Sequence, residues 1–307
     1  MSISNLLLFL MLVLGPVISV SATSWPVCWA GMEIGILGLI PLLFIGNSPF
    51  SKESALKYFC IQALASALIF VGGMVLFTLL KSYFIYSLVF LMGVCLKLAI
   101  FPGHFWVTGV VYGLGWVSVC FILGPLKVPP LAFLSEFNSI FPESVSWVLL
   151  LSGVSAIVGA SLGNNQTNIR AMLGASSIAH SGWMGAATVF GGLWLYLAIY
   201  LLVLVFLLLF LWQGDMFMGS MGVLSMEGLP PFIMFLAKLK VVQSALMAEN
   251  AFIWLGLPLS GALLSLIFYL KFSYSLLLSS EQFPARFGAL SFMVVNFLGV
   301  AWLLASF

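Results

Sequence analysis

Five side chains able to hold or pass a proton stand where an apolar sequence should exclude them: Glu33, Lys97, Lys127, His180 and Lys238. A Lys or Glu at mid-bilayer costs about 2.5–3.5 kcal/mol on insertion scales, so the four charges together cost on the order of 10–14 kcal/mol. That rivals the whole stability of a typical domain. A lysine near a helix end can snorkel to the interface, which suits Lys81, Lys240 and Lys271. It does not suit Lys127, which lies near the middle of its apolar run. Three buried lysines against one firmly central carboxylate, Glu33, cannot all be paired. A structural ion pair between Glu33 and Lys97 is one reading of the charges. A proton relay also explains the excess, because burial favours the neutral amine and a nearby carboxylate favours the ammonium. A changing pair distance then loads and unloads a proton.

His180 adds a titratable group within Ala175-Ser176-Ser177-Ile178-Ala179-His180-Ser181, flanked by hydroxyls that could hold water. A hydrogen-bonded interhelical histidine is the competing reading. No nucleophile elbow or partner acid accompanies it, so a serine-hydrolase site is excluded. His104, beside Pro102, is expected to serve the hydrogen bonding of its loop. Gly31, Gly35 and Gly38 follow no strand, so their spacing predicts close helix packing rather than a dinucleotide site.

The elements that must position these groups follow from composition. Of 307 residues 63% are hydrophobic and 6% charged, where a soluble domain has about 25% charged. Mean hydropathy is +1.24. These values exclude an ordinary soluble enzyme, and ten Lys and Arg spread along the chain make no face for nucleic acid. The predicted fold is all-α and polytopic, with the lipid bilayer as its surroundings. About eleven transmembrane spans fit, at roughly 20 residues each. They fall near 4–21, 26–45, 57–80, 83–101, 115–136, 144–163, 169–191, 193–213, 222–246, 251–271 and 288–306. Residues 6–22 read as the first span and not as a cleaved signal, since Met1–Asn5 lacks Lys and Arg. Ser51 is expected to cap the third helix, with Glu53 and Lys57 pairing across one turn.

Two spans should be discontinuous. One is interrupted at Phe101-Pro102-Gly103-His104 after Lys97, the other at Gly228-Leu229-Pro230-Pro231 ahead of Lys238. Proline removes a donor and clashes with the preceding turn. Broken backbone at membrane depth survives only beside protein or a water-filled cavity. The two breaks fall in the fourth member of each of two sets of five spans, which predicts inverted pseudo-repeats at about 1–137 and 144–275. Loop charges place Lys52, Lys57, Arg170, Lys271 and Arg286 on one side, and Lys81, Glu136, Glu143 and Glu249 on the other. The N-terminus is therefore expected on the positive side, matrix or cytoplasm, with the C-terminus opposite. Cys28, Cys60, Cys95 and Cys120 are dispersed in apolar stretches and are expected to be buried core residues, not ligands of zinc or an iron–sulfur cluster.

These residues resemble a known family, chain 2 of mitochondrial NADH:ubiquinone oxidoreductase (complex I), an antiporter-like membrane subunit. The resemblance rests on Trp29-Ala30-Gly31-Met32-Glu33-Ile34, Glu53-Ser54-Ala55-Leu56-Lys57-Tyr58-Phe59, Pro102-Gly103-His104-Phe105-Trp106, Asn165-Gln166-Thr167, Ser176-Ser177-Ile178-Ala179-His180-Ser181-Gly182-Trp183-Met184 and Gly228-Leu229-Pro230-Pro231-Phe232. Departures are Gly35 after Met-Glu-Ile, Gly103 before His104, and Ala171-Met172 after Arg170. The resemblance implies that Glu33 and Lys97 form the coupling ion pair, that Lys127 connects, and that Lys238 lies toward the exit. It also implies that NADH, FMN, iron–sulfur clusters and ubiquinone are bound by other subunits, and that other membrane-arm subunits are the partners. Bacterial relatives carry three more N-terminal helices, so the start of this chain looks like the animal mitochondrial form. The mitochondrial inner membrane is the implied location, with the N-terminus in the matrix and the C-terminus in the intermembrane space. An inert membrane-arm scaffold and a stand-alone cation/proton antiporter are the alternatives.

Overall fold

The computed structural model describes residues 3–45, 48–78, 84–248 and 252–279, with the single positions 292, 294 and 296. All the regular structure there is helical: α1 (Ile3–Ser21), α2 (Trp25–Phe44), α3 (Pro49–Gly73), α4 (Phe84–Leu98), α5 (Val107–Gly113), α6 (Trp116–Leu123), α7 (Val128–Ile140), α8 (Val145–Asn164), α9 (Ile169–Phe190), α10 (Leu193–Gln213), α11 (Met216–Glu227), α12 (Ile233–Leu246) and α13 (Phe252–Leu278). Seven helical stretches among the described residues are long and apolar enough to cross a membrane. With α9 and the interrupted pairs α4–α5 and α11–α12, each of the first ten expected spans has its helix. The eleventh, 288–306, lies outside the described residues except at the three single positions.

α1 and α2 pack closely as an antiparallel pair. A Cβ on Gly31 would stand 2.6 Å from the Ser19 amide nitrogen, and one on Gly38 2.7 Å from the Leu8 carbonyl oxygen. Bare backbone at these positions lets the two helices touch, as the glycine spacing predicted. α3 begins at Pro49, eight residues ahead of its apolar span and three ahead of the start that a Ser51 cap implies. Ser48, not Ser51, is its cap: Ser48 Oγ accepts from the Ser51 amide at 3.1 Å, and Pro49 opens the helix where no donor is lost. The Glu53–Lys57 pair forms at 2.6 Å on the exposed face.

α9 is the hub of the bundle. Residues 171–187 are buried without interruption, sheathed by α5, α7, α8, α10, α12 and α13. Its serines, glycines and alanines let neighbours approach on every side, and surrounding protein replaces lipid. Ser176, Ser177, His180 and Ser181 therefore face partners and not hydrocarbon.

The basic loop residues that are described gather at one end of the bundle. Lys271 Nζ donates to the Gln166 carbonyl at 3.2 Å, Arg170 stacks 4.6 Å over the Trp116 ring, and Gly113 abuts Ser54 two residues from Lys52. Glu136 lies with Ser19, Ser24 and Trp194 around a surface cavity of about 590 Å³ at the other end. Lys81, Glu249 and Arg286 lie outside the described residues.

Candidate functional site

The interruptions place the lysines. α4 stops at Leu98, and Ala99 takes φ 61°. That left-handed conformation costs a residue with a Cβ about 1–2 kcal/mol. Trp106 Nε1 donates to the Leu96 carbonyl at 2.9 Å and ties the reversed chain back onto the helix end. Lys97, in the last turn of α4, then reaches α2, where its Nζ lies 2.8 Å from Glu33 Oε1. The lysine side chain is 3% exposed and the carboxylate's 21%, so the pair is open on the glutamate side.

Lys127 does not lie within one continuous helix as its apolar run implied. α6 ends at Leu123, Gly124-Pro125 turns the chain, and a single 3₁₀ turn delivers Lys127 to the start of α7. Pro125 opens that turn, and Pro129 and Pro130 occupy the first turn of α7, where their missing donors go unmissed. Lys127 is 6% exposed. Its Nζ donates to Ser181 Oγ at 2.8 Å and to the Ser177 carbonyl at 3.1 Å, both on α9. The ammonium also stands 5.6 Å from the centroid of the Tyr200 ring.

His180 lies one residue before Ser181 on α9, its ring 5.0 Å from the Tyr200 ring. Its Nδ1 lies 2.9 Å from the Tyr196 hydroxyl and its Nε2 3.3 Å from the Tyr269 hydroxyl. Tyr269 in turn shares a short hydrogen bond with Ser176 Oγ. Both ring nitrogens thus have hydroxyl partners, which can donate or accept and so suit either tautomer. Neither tyrosine was marked by sequence, because each sits in an anonymous apolar span.

Lys238 closes the row. Its Nζ donates to the main-chain carbonyl of Glu227 and stands 3.7 Å from Glu227 Oε1. The reading of three buried lysines against one carboxylate is therefore corrected: Glu227, 5% exposed, is a second carboxylate within the bundle and is more deeply buried than Glu33. Only folding across the Gly228-Leu229-Pro230-Pro231 break sets it opposite Lys238. Gly228 holds φ 77°, which lets α11 end there and α12 start in a new direction.

Two small cavities join these groups. One, of about 10 Å³, is lined by Tyr58, Gln62, Lys97, Trp106 and Lys127. The other, also about 10 Å³, is lined by His180, Lys238, Ser265 and Tyr269. Each has the room and the polar lining for roughly one water. The structure so brings all five sequence-marked residues into one row from Glu33 to Glu227. His104 stands apart, its ring stacked on Phe101 at 5.7 Å. Of the cysteines only Cys95 is buried, while Cys60 is exposed on the apolar flank, where a thiol behaves as a small hydrophobe. Among the described residues no three His, Cys, Asp or Glu side chains gather as a metal site.

Interrupted membrane helices, each offering a buried lysine to a polar row through the bundle, define an antiporter-like membrane subunit. The family described as NADH:quinone oxidoreductase/Mrp antiporter, transmembrane, matches residues 22–221. NADH-ubiquinone oxidoreductase chain 2 of Albinaria caerulea is 33% identical over 297 residues, covering 96% of this chain and 97% of that one. A chain of respiratory complex I from Thermus thermophilus superposes with a TM-score of 0.77 at 25% identity, over 98% of this chain and 77% of its own. A chain of the Mrp complex from Dietzia sp. DQ12-45-1b has the same fold, with a TM-score of 0.73 at 15% identity over 86% of this chain and 59% of its own. The chain belongs to the NADH-ubiquinone oxidoreductase chain 2 family of antiporter-like subunits.

Proposed function

We propose that this chain is a proton-translocating membrane-arm subunit of respiratory complex I in the mitochondrial inner membrane. Protons pass along Glu33, Lys97, Lys127, His180 and Lys238, driven by electron transfer in other subunits. NADH, FMN, iron–sulfur clusters and ubiquinone belong to those subunits, so the chain contributes to NADH:ubiquinone reductase activity without redox chemistry of its own. Its partners are the neighbouring membrane-arm subunits and the bilayer. The N-terminus faces the matrix and the C-terminus the intermembrane space. The pseudo-repeats, about 1–137 and 144–275, each contribute an interrupted helix whose lysine stands beside a carboxylate, Lys97 with Glu33 and Lys238 with Glu227.

The observation that carries this reading is the row itself. Lys97 and Lys127 share one water-sized cavity, Lys127 is held by the serines flanking His180 on α9, and His180 and Lys238 share the second cavity. An inert scaffold gives no reason for Lys127, whose ammonium donates to the neutral oxygens of Ser177 and Ser181, with no carboxylate paired to it among the described residues. A cryo-map of the intact complex at water resolution tests the reading. Ordered water is expected in both cavities. Dry, apolar-sealed gaps between Lys97 and Lys127 and between His180 and Lys238, in every turnover state, would overturn it.

A further inference from the structure

We propose that Glu227 is itself a proton carrier, forming with Lys238 a second carboxylate–lysine switch at the opposite end of the row from Glu33–Lys97. The inference rests on the proton-path reading above and adds to it a residue that the path as drawn does not use.

Three features of the site support it. First, Glu227 is the last residue of α11, so its main-chain carbonyl lacks an intrahelical donor. Lys238 fills that vacancy, which anchors the ammonium at the helix end while leaving its Nζ 3.7 Å from the carboxylate. The lysine is held close to Oε1 without being locked in a direct hydrogen bond to it. A small movement of α12 against α11 completes the contact.

Second, the far oxygen of the carboxylate has a partner suited to both of its charge states. Ser265 Oγ lies 2.9 Å from Glu227 Oε2 and 2.8 Å from the Ala262 carbonyl. A hydroxyl has one hydrogen, so it serves one of these acceptors at a time. With Glu227 ionised, Ser265 donates to Oε2. With Glu227 protonated on Oε2, the carboxyl donates to Ser265 Oγ and the serine turns its hydrogen to Ala262. Neither state leaves a buried polar atom unmatched. A carboxylate kept only as a fixed counter-charge has no need of that arrangement.

Third, Ser265 and Lys238 both line the second water-sized cavity with His180 and Tyr269. The carboxylate therefore has a route back to the rest of the row. The transfer balances: the Lys238 ammonium gives one proton to Glu227 Oε1, leaving a neutral amine and a neutral carboxylic acid, and a half-turn of the carboxyl group brings that hydrogen to Ser265 Oγ. Beyond Glu227 the chain reaches Pro230 and Pro231, which are exposed on the flank of the bundle.

The test uses the intact complex in liposomes, with protons pumped per NADH oxidised as the readout. Glu227→Gln keeps the shape and removes the proton site, so pumping is expected to fall about tenfold or more. Glu227→Asp should retain most of it. Lys238→Met should match Glu227→Gln, and the double variant should be no worse than the worse single. Normal pumping by Glu227→Gln beside impaired Lys238→Met would overturn this proposal and leave the path standing. Normal pumping by both would overturn the path as well. If Glu227→Gln does not assemble, Ser265→Ala decides, since it leaves the ion pair in place and removes the two-state partner. An assembled Ser265→Ala complex with normal pumping would overturn the proposal.

Discussion

Lys127 Nζ rests 2.8 Å from Ser181 Oγ, so the middle lysine of the row is held by a neutral hydroxyl, whereas Lys97 and Lys238 stand beside Glu33 and Glu227. On the proposed path a lysine between two carboxylate–lysine pairs is the transfer point. As the neutral amine it can take a proton, and no carboxylate stands beside it to trap that proton.

Replacing Lys127 by Met removes that point and keeps comparable bulk. Deleting a buried charge held by neutral groups relieves its desolvation, so the amount of assembled complex should stay near normal. Proton pumping, and with it coupled NADH oxidation, should drop. A variant that assembles and pumps at the ordinary proton-to-electron ratio would remove Lys127 from the relay.

Glu33→Gln takes the counter-charge from Lys97. Two unit charges 4 Å apart attract by roughly 4 kcal/mol at an effective dielectric constant near 20, and this pair is closer, at 2.8 Å, though solvent reaches its glutamate. Lys97→Ala removes the proton site itself. Both should slow pumping, and the double variant should be no slower than the worse single, because residues acting as a unit are not additive. Additive losses across the cycle would place the two in separate steps.

Tyr269→Phe deletes the hydroxyl between His180 Nε2 and Ser176 while keeping the ring in the core. The lost hydrogen bonds should cost about 1–3 kcal/mol, since their partners are left buried. Assembly should persist at a reduced thermal midpoint. Pumping should fall if the hydroxyl helps to carry protons past His180, whereas an unchanged rate would reduce Tyr269 to a structural support.

Gly31→Val is the control for packing. Its new side chain would collide with α1 at Ser19, and overpacking of this kind costs about 1–3 kcal/mol. The level of assembled complex on native gels should decline. Whatever does assemble should pump at the normal ratio, because the α1–α2 contact lies outside the proposed path.

Much of this was legible in the sequence because charge and proline are loud signals in apolar surroundings. Glu33, Lys97, Lys127 and Lys238 could be marked by burial cost alone, and Pro102 and Pro230-Pro231 marked two interruptions. The break at Lys127 was not marked, although Gly124-Pro125 precedes it. Its short turn preserves an apolar run on both sides, and such a run reads as one span. Glu227 was missed for another reason. It sits at the edge of a polar break, where a carboxylate looks like a loop residue until α12 and α13 close over it. Tyr196 and Tyr269 had no signal, since a tyrosine in a membrane span is as ordinary as a phenylalanine. The cap of α3 was misplaced by three residues because Ser48 and Ser51 both fit the same pattern and only backbone geometry distinguishes them.

The complete enclosure of α9 has a consequence for how the chain is made. During synthesis each segment is weighed against lipid before any bundle exists to shelter it. α8 and α10 are apolar enough to be retained in the bilayer by themselves, but α9 is not among the helices that reach that standard. Its place in the membrane therefore depends on being carried between them. The serines and the histidine that make α9 useful in the finished protein also make it a poor passenger at the moment of insertion. Replacing them with leucines would smooth its entry into the membrane and leave a bundle with nothing through its middle.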